Sequence, residues 1–335
     1  MISVLILAYN SADFVCDALN SVLADRESSE AVEVIVFDNA SQDATSARLQ
    51  SDFGATLGVT LLRSNRPLGY AGGNNAAAAV AKGEILLVLN DDCVLEPGTL
   101  SGIERDFDEE PSLGVLQCAI ATADGRKWDS LGHHIDSLGL LHVIAEGATR
   151  ADTVPGRRAV FGAQGAAFAV RTSLFQLLDG FDEAFQFLFE ETDFCWRALL
   201  RGYDVAVSGR AVARHRKLAR YKSKYEGREG SAFYMLTRNR IRSMIKNLSA
   251  SKLITLGGMH LLLLLGYASK SLFRRDPVVL ADVSRALWWN ICRLRATLRL
   301  RRQIQVTRVV SDVWLIRSGR ILKAHPLALL RHPLW

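Results

Sequence analysis

Four runs of β-branched and aliphatic residues, ISVLILA (2–8), VEVIVFD (32–38), VTLLRS (59–64) and EILLVLN (84–90), recur through the first ninety positions, each almost uninterrupted in its apolar character. A strand with one wet face alternates polar and apolar side chains, and a strand covered on both faces does not, so these runs belong to a parallel sheet sandwiched between helices. The stretches between them supply the helices: SADFVCDALNSVLAD (11–25) with Ser11 as its expected N-cap, DATSARLQSDF (43–53) and NNAAAAVAKG (74–83). The alternation predicts a doubly wound, mostly parallel α/β sheet, in which ligands bind beyond the carboxyl ends of the strands. Tyr9, Asp38, Asn65 and the pair Asp91 and Asp92 fall at those ends.

The fourth run ends on two carboxylates that cannot be left in an apolar core. Adjacent acids at a strand end are what a hard divalent cation takes, with its other positions left to substrate phosphates; capping of the helix in EPGTLSGIERDF would also use such an acid. GYAGGNN (69–75) has a spacing that matches neither the dinucleotide fingerprint nor a P-loop, which disfavours dehydrogenase and P-loop readings. Gly69, Gly72 and Gly73 still permit close backbone approach to a ligand, or else form a plain capped turn. Asp38 can accept from a base N–H or cap the segment that follows it.

The net charge of +6 hides a split: residues 1–208 hold 14 basic and 30 acidic side chains, a balance of −16, and 209–335 hold 27 and 5, a balance of +22. An acidic body with a basic tail suits a cation-using enzyme held near a polyanion. The tail interleaves Arg with Leu, Ile, Val and Trp, which fits an amphipathic helix at an anionic membrane surface better than a nucleic-acid arm. Between Lys252 and Lys270 lie 17 uncharged residues. As a helix they reach about 25 Å, just short of a bilayer core, so a re-entrant or surface-lying segment is expected, with a buried or dimer-forming helix as the alternative.

Five cysteines, odd in number and never spaced Cys-x-x-Cys, predict neither a zinc site nor a disulfide framework. MISVLILAYN lacks a basic flank and turns polar after seven residues, so it reads as a first strand and not a signal peptide. The length of 335 residues, more than most single domains have, predicts a catalytic domain plus an appendage. The expected location is cytoplasmic, peripheral at the inner face of the membrane.

SVLILAYN, VIVFDNASQDAT, NRPLGYAGGNN, LVLNDD, GAAFAVR, FEETDFCWRALLRGY and ARHRK occur in this order. Together they resemble the family 2 inverting glycosyltransferases of the GT-A fold, most of all the bacterial rhamnosyltransferase-like members, over about residues 1–250, which implies a catalytic domain at 1–250 and leaves a helical, basic, membrane-associating region at 251–335. The resemblance implies that Asp38 binds the nucleotide base and that the backbone of Ala8 and Tyr9 lines its pocket. Asn65, Gly69, Gly72, Gly73 and Asn74 complete the expected donor-binding set with Asp91, near the ribose or diphosphate. Asp92 would hold Mg²⁺ or Mn²⁺, with His215 completing the metal site.

EETD resembles the family segment whose second acid is the catalytic base, a position held here by Glu191, one methylene longer than the family's Asp; Glu190 and Asp193 are the alternates. Three acids in four residues exceed what a helix N-terminus accounts for. The implied reaction is metal-dependent transfer of a sugar, rhamnose favoured, from a dTDP or UDP sugar to a glycan or polyprenyl-linked acceptor in cell-surface polysaccharide synthesis. A sugar nucleotidyltransferase would need a basic triphosphate loop after the first strand, where LAYNSADF has neither Lys nor Arg. A non-catalytic membrane scaffold would have no use for the full set of acids.

Overall fold

The computed structural model describes residues 1–29, 31–150, 154, 156–216, 231–273 and 277–324. Strands β1 (Ile2–Ala8), β2 (Val32–Asp38), β3 (Val59–Arg63) and β4 (Ile85–Asn90) alternate with helices α1 (Val15–Asp25), α2 (Thr45–Phe53) and α3 (Gly69–Ala78). The four strands are parallel, in the order β3-β2-β1-β4. Within β1, Ile2, Val4 and Ile6 enter one core cluster and Leu5 the other, which is the burial on both faces that the uninterrupted runs imply. Ser11 differs from expectation: its carbonyl, not its hydroxyl, receives the first-turn N–H groups of Phe14 and Val15.

Beyond β4 come β5 (Cys93–Leu95), α4 (Thr99–Glu109), β6 (Leu113–Thr122), β7 (Trp128–Ser130), β8 (His133–Asp136), β9 (Leu141–Val143), β10 (Arg158–Ala159), β11 (Ala167–Arg171), α5 (Thr172–Leu177), α6 (Glu190–Leu200) and β12 (Asp204–His215). The sheet becomes mixed there, because β11 lies antiparallel between β4 and β6 while β12 runs parallel to β6. Four of the five residues of β11 are buried, as in the parallel strands. Apolar runs report coverage and not direction, so the sequence could not show the reversal.

The chain continues with α7 (Ala232–Asn247), α8 (Ala250–Phe273, with a π-helical turn at Leu253–Gly257), α9 (Pro277–Cys292), α10 (Leu294–Thr307), α11 (Asp312–Arg317) and β13 (Ile321–Leu322). This region is fastened to the sheet domain. Strand β13 pairs with β8, and the buried Arg320 donates to the carbonyls of Val160 and Val205 and to Asp204. Helices α9 and α10 pack on α7. The described residues on the two sides of residue 250 therefore share packing. Helix α8 has 24 residues, longer than the uncharged run because charged residues flank the run inside the same helix.

Candidate active site

The end of β4 is followed at once by the paired acids Asp91 and Asp92. Asp91 Oδ2 accepts from the backbone N–H of Tyr9 at 3.1 Å, tying the end of β1 to the turn after β4. Asp92 Oδ1 lies 3.4 Å from His215 Nε2, because the last residue of β12 pairs opposite Cys93. The other ring nitrogen, Nδ1, is 2.8 Å from Asp129 Oδ2. Burial opposes a charge on this ring, but its bonds to Asp129 and Asp92 outweigh burial and push its pKa up to about 9.

These residues fit a divalent cation. A cation would displace the Nε2 proton: with the other proton kept on Nδ1 by Asp129, the ring would then present the Nε2 lone pair beside the Asp92 carboxylate, and a buried carboxylate behind a ligating histidine is a recurrent metal-site arrangement. Cys93 completes a cluster with Asp92 and His215 whose ligand atoms lie within 4.8 Å. Its thiol is pushed well up by burial and stays protonated, so it offers nothing to a hard cation. Asp129 sits in β7, where no sequence motif marks it.

At the end of β2, Asp38 is buried, its Oδ1 accepting from Ser41 N at 2.8 Å and its Oδ2 lying 3.5 Å from Arg63 Nε. Its neighbour Asn39 was missed: Oδ1 accepts from Leu68 N at 2.8 Å and Nδ2 donates to Gly69 O at 3.2 Å, stapling the entry of α3 to β2. Ala8 closes β1 and is buried, and Asn65 lies exposed just after β3.

The glycines resolve toward packing. Gly69 has φ of +72°, and a Cβ there would meet the Gln186 carbonyl at 2.7 Å; one at Gly72 would press on Leu68, and one at Gly73 would collide with Leu7. Their smallness lets α3 close against β1 and against the segment before α6. Asn74 is buried and donates to Tyr70 O within its own helix.

Helix α6 presents the acids of EETD at the end of a strained loop: Gln186, Leu188 and Phe189 have φ of +61°, +68° and +76°. Non-glycine residues hold such angles only when their surroundings impose them. Here α7 imposes them. Asn239 Nδ2 donates to the carbonyls of Leu188 (2.6 Å), Phe187 (2.9 Å) and Phe185 (3.2 Å), and Arg238 donates to Gln186 Oε1 at 2.9 Å.

The three acids then separate. Asp193 is fully buried and bonded to Arg197, Lys246, Ser243 and Asn247; burial alone would raise its pKa, but Lys246 and Arg197 hold it below the usual range. It belongs to the scaffold. Glu190 is buried, and burial followed by the neighbouring Glu191 drives its pKa well up.

Glu191 Oε1 accepts from Gly165 N at 3.3 Å, and its Oε2 has no hydrogen-bond partner among the described residues. Burial raises its pKa. The next peptide ties it to the end of β4, since Asn90 N donates to Ala166 O at 2.9 Å. Tyr70 OH, from α3, donates to Gly165 O at 2.6 Å. One short stretch, 165–166, thus joins the end of β4, helix α3 and Glu191.

The model of the family described as Glycosyl transferase family 2 matches residues 3–178. The succinoglycan biosynthesis protein ExoO of Rhizobium meliloti (strain 1021) is 32% identical over 126 residues, which are 37% of this chain and 35% of that protein. The chain spans between 20% and 37% of the length of the curated relatives it matches. Among solved structures, GalNAc-T7 with UDP, GalNAc and Mn²⁺ superposes with a TM-score of 0.59 at 16% identity, covering 73% of this chain and 48% of that one. S. aureus TarS 1–349 in complex with UDP-GlcNAc gives 0.57 at 19%, covering 95% and 92%. At these identities the likeness is one of fold, and the fold is GT-A.

Proposed function

The chain belongs to glycosyl transferase family 2, and on that premise we propose that it moves a sugar from a nucleoside diphosphate donor to a hydroxyl of a glycan acceptor, with inversion, in cell-surface polysaccharide synthesis. The observation that carries the reading is the 165–166 link: it sets a carboxylate with one unpartnered oxygen beside the strand end that bears Asp91 and Asp92. Glu191 Oε2 takes the proton of the acceptor hydroxyl as that oxygen bonds to the anomeric carbon; the opposite anomeric C–O bond breaks, and its electron pair leaves on the diphosphate. The transition state is oxocarbenium-like, and no covalent sugar intermediate forms.

Asp92 and His215 would hold Mg²⁺ or Mn²⁺, with Asp129 fixing the ring. The bound cation supplies positive charge for the departing diphosphate. Asp38 accepts from the base, and the Tyr9 backbone, held by Asp91, lines the nucleotide pocket. Rhamnose from dTDP-rhamnose is the favoured donor on the motif resemblance, with a UDP sugar as the other candidate. A relative named for succinoglycan biosynthesis and fold neighbours solved with UDP or UDP-GlcNAc support the class of donor and product.

The membrane belongs to the same proposal. Helix α8 exposes Ile254, Leu262, Leu265, Leu272 and Phe273 on one side, while His260 is buried and bonded to the Leu138 carbonyl at 2.8 Å on the other. A helix pinned at its middle to the body suits a surface-lying role at the cytoplasmic leaflet, where a polyprenyl-linked acceptor would be met. A panel of nucleotide sugars tests the reading, scored by ligand-induced stabilisation with and without Mn²⁺ and by the product released. Release of nucleoside diphosphate supports transfer; pyrophosphate release with a sugar phosphate and nucleoside triphosphate, or silence with every donor, overturns it.

A further inference from the structure

A cavity of about 290 Å³ opens where the sheet domain meets the C-terminal helices, walled by Glu183 and Gln186 on one side and by Tyr234, Arg238, Trp289 and Arg293 on the other. Gln186 ties it to the loop that leads into α6. Its carbonyl accepts from Tyr70 N at 2.6 Å, and its side chain accepts from Arg238, five residues before Glu191. The guanidinium groups of Arg293 and Arg238 lie 4.5 and 4.8 Å from the Trp289 ring centre, with Arg242 at 5.8 Å. The wall has one carboxylate, Glu183, and Asn75 donates to it at 3.2 Å.

Arg238 is buried and already donates to Asn239, Tyr234, Phe185 and Gln186, and Arg242 is held by Asp182, so these two contribute positive charge; the exposed Arg293, oriented on the Trp289 indole, supplies the guanidinium fork that matches phosphate oxygens in pairs. The volume is at the small end of ligand pockets and suits a headgroup rather than an oligosaccharide. Just outside, the same helix and the next expose Trp288 (66%), Ile291 (61%), Leu294 (40%) and Leu298 (46%). An apolar strip beside a cationic cavity is the complement of an amphiphile with a phosphate head.

We propose that this cavity binds the phosphate or diphosphate through which a lipid-linked acceptor carries its glycan, an inference that rests on the glycosyl-transfer reading above. The hydrocarbon would lie along the exposed strip and the glycan would extend toward Glu191. Calorimetric titration of the full chain with inorganic pyrophosphate and with farnesyl diphosphate, both in EDTA so that the cation site takes no part, tests it. Both probes should bind, the farnesyl compound more tightly, and Arg293→Gln and Trp289→Leu should each weaken both by about tenfold or more, with far-UV circular dichroism showing the variants folded. Equal affinity for the two probes, lost together in the variants, keeps the phosphate site and assigns its ligand to soluble phosphate esters. Unchanged affinity in both variants overturns the proposal. Nucleoside diphosphate release with probe binding untouched by either variant sinks the cavity alone, and variant-sensitive binding without release from any donor sinks the transfer reading alone.

Discussion

Asp129 Oδ2 lies 2.8 Å from His215 Nδ1, on the far side of the ring from Asp92. The contact fixes both the orientation of the imidazole and the nitrogen that carries its proton, and it explains how a histidine in a basic run can serve a cation site: β12 carries it inward to meet two carboxylates.

Asp129→Asn should therefore weaken Mn²⁺ binding by about 10- to 100-fold without removing a ligand. Asp92→Ala should abolish both turnover and the Mn²⁺-dependent stabilisation by nucleoside diphosphate, leaving the apo fold intact. Melting curves against Mn²⁺ at fixed nucleotide read both. Full activity in excess EDTA, or a Mn²⁺ midpoint unmoved in Asp129→Asn, would remove His215 from the cation site.

Glu191→Gln should lower turnover by about 10² to 10⁴ with donor affinity little changed. Burial raises the pKa of Glu191, and a base must be ionised, so wild-type turnover should fall with acid at a pH above the usual glutamate range. The stability effect has the opposite sign. A carboxyl whose pKa is raised on folding contributes stability that is full below its unfolded pKa and lost as pH rises through the folded one. Glu191→Gln removes that loss, so above the raised pKa the inactive variant should melt higher than wild type. Equal melting temperatures from pH 5 to 9, or wild-type turnover in Glu191→Gln, contradict the assignment of this acid as the base.

Asn239 donates to three carbonyls of a loop with three positive φ angles, so Asn239→Ala leaves buried acceptors unpaired at about 1 to 3 kcal/mol. If the loop's shape serves to present Glu191, turnover should drop more than the melting temperature explains, while nucleotide affinity with Mn²⁺ holds. A loss confined to stability, with normal turnover of the folded fraction, would make Asn239 merely structural.

The parallel core and most of the acids were legible because both follow from local pattern: uninterrupted apolar runs, and carboxylates at their ends. What the sequence hid depends on pairs far apart in the chain. Asp129 acquires its role only when β12 brings His215 to it, and Asn239 only when α7 packs beneath the loop before α6. Asp193 looked like a candidate base in EETD, yet Lys246, 53 residues later, claims it for the interior. In GYAGGNN the letters alone do not tell a glycine needed for packing from one needed for a ligand; the packing role of Gly69, Gly72 and Gly73 appears only in their contacts with Gln186, Leu68 and Leu7.

The basic tail gives the last expectation, and the structure changes its arithmetic. Of the five arginines at 293–302, Arg301 donates to the carbonyls of Ile245 and Leu248 and so helps hold α10 to α7, and Arg293 stacks on Trp289. Arg295, Arg299 and Arg302 are exposed. At about 1 kcal/mol for each basic side chain near an anionic leaflet, these three contribute about 3 kcal/mol, where all five would have given about 5. Of the two tryptophans, Trp288 is exposed and available for insertion, while Trp289 faces Arg238 and Arg242. Replacing Arg295, Arg299 and Arg302 by Gln should lower binding to anionic vesicles by about 100-fold, with a salt-insensitive remainder from Trp288 and the exposed face of α8. Arg301→Gln should instead cost stability. Truncation after Asn247 removes Thr297 from Arg242, Arg320 from Asp204 and strand β13 from β8. Aggregation or rapid proteolysis of the truncated chain is the expected result. Equal binding of the full chain to neutral and anionic vesicles would refute the electrostatic account, and tighter binding to RNA than to anionic vesicles at matched salt would make nucleic acid its partner.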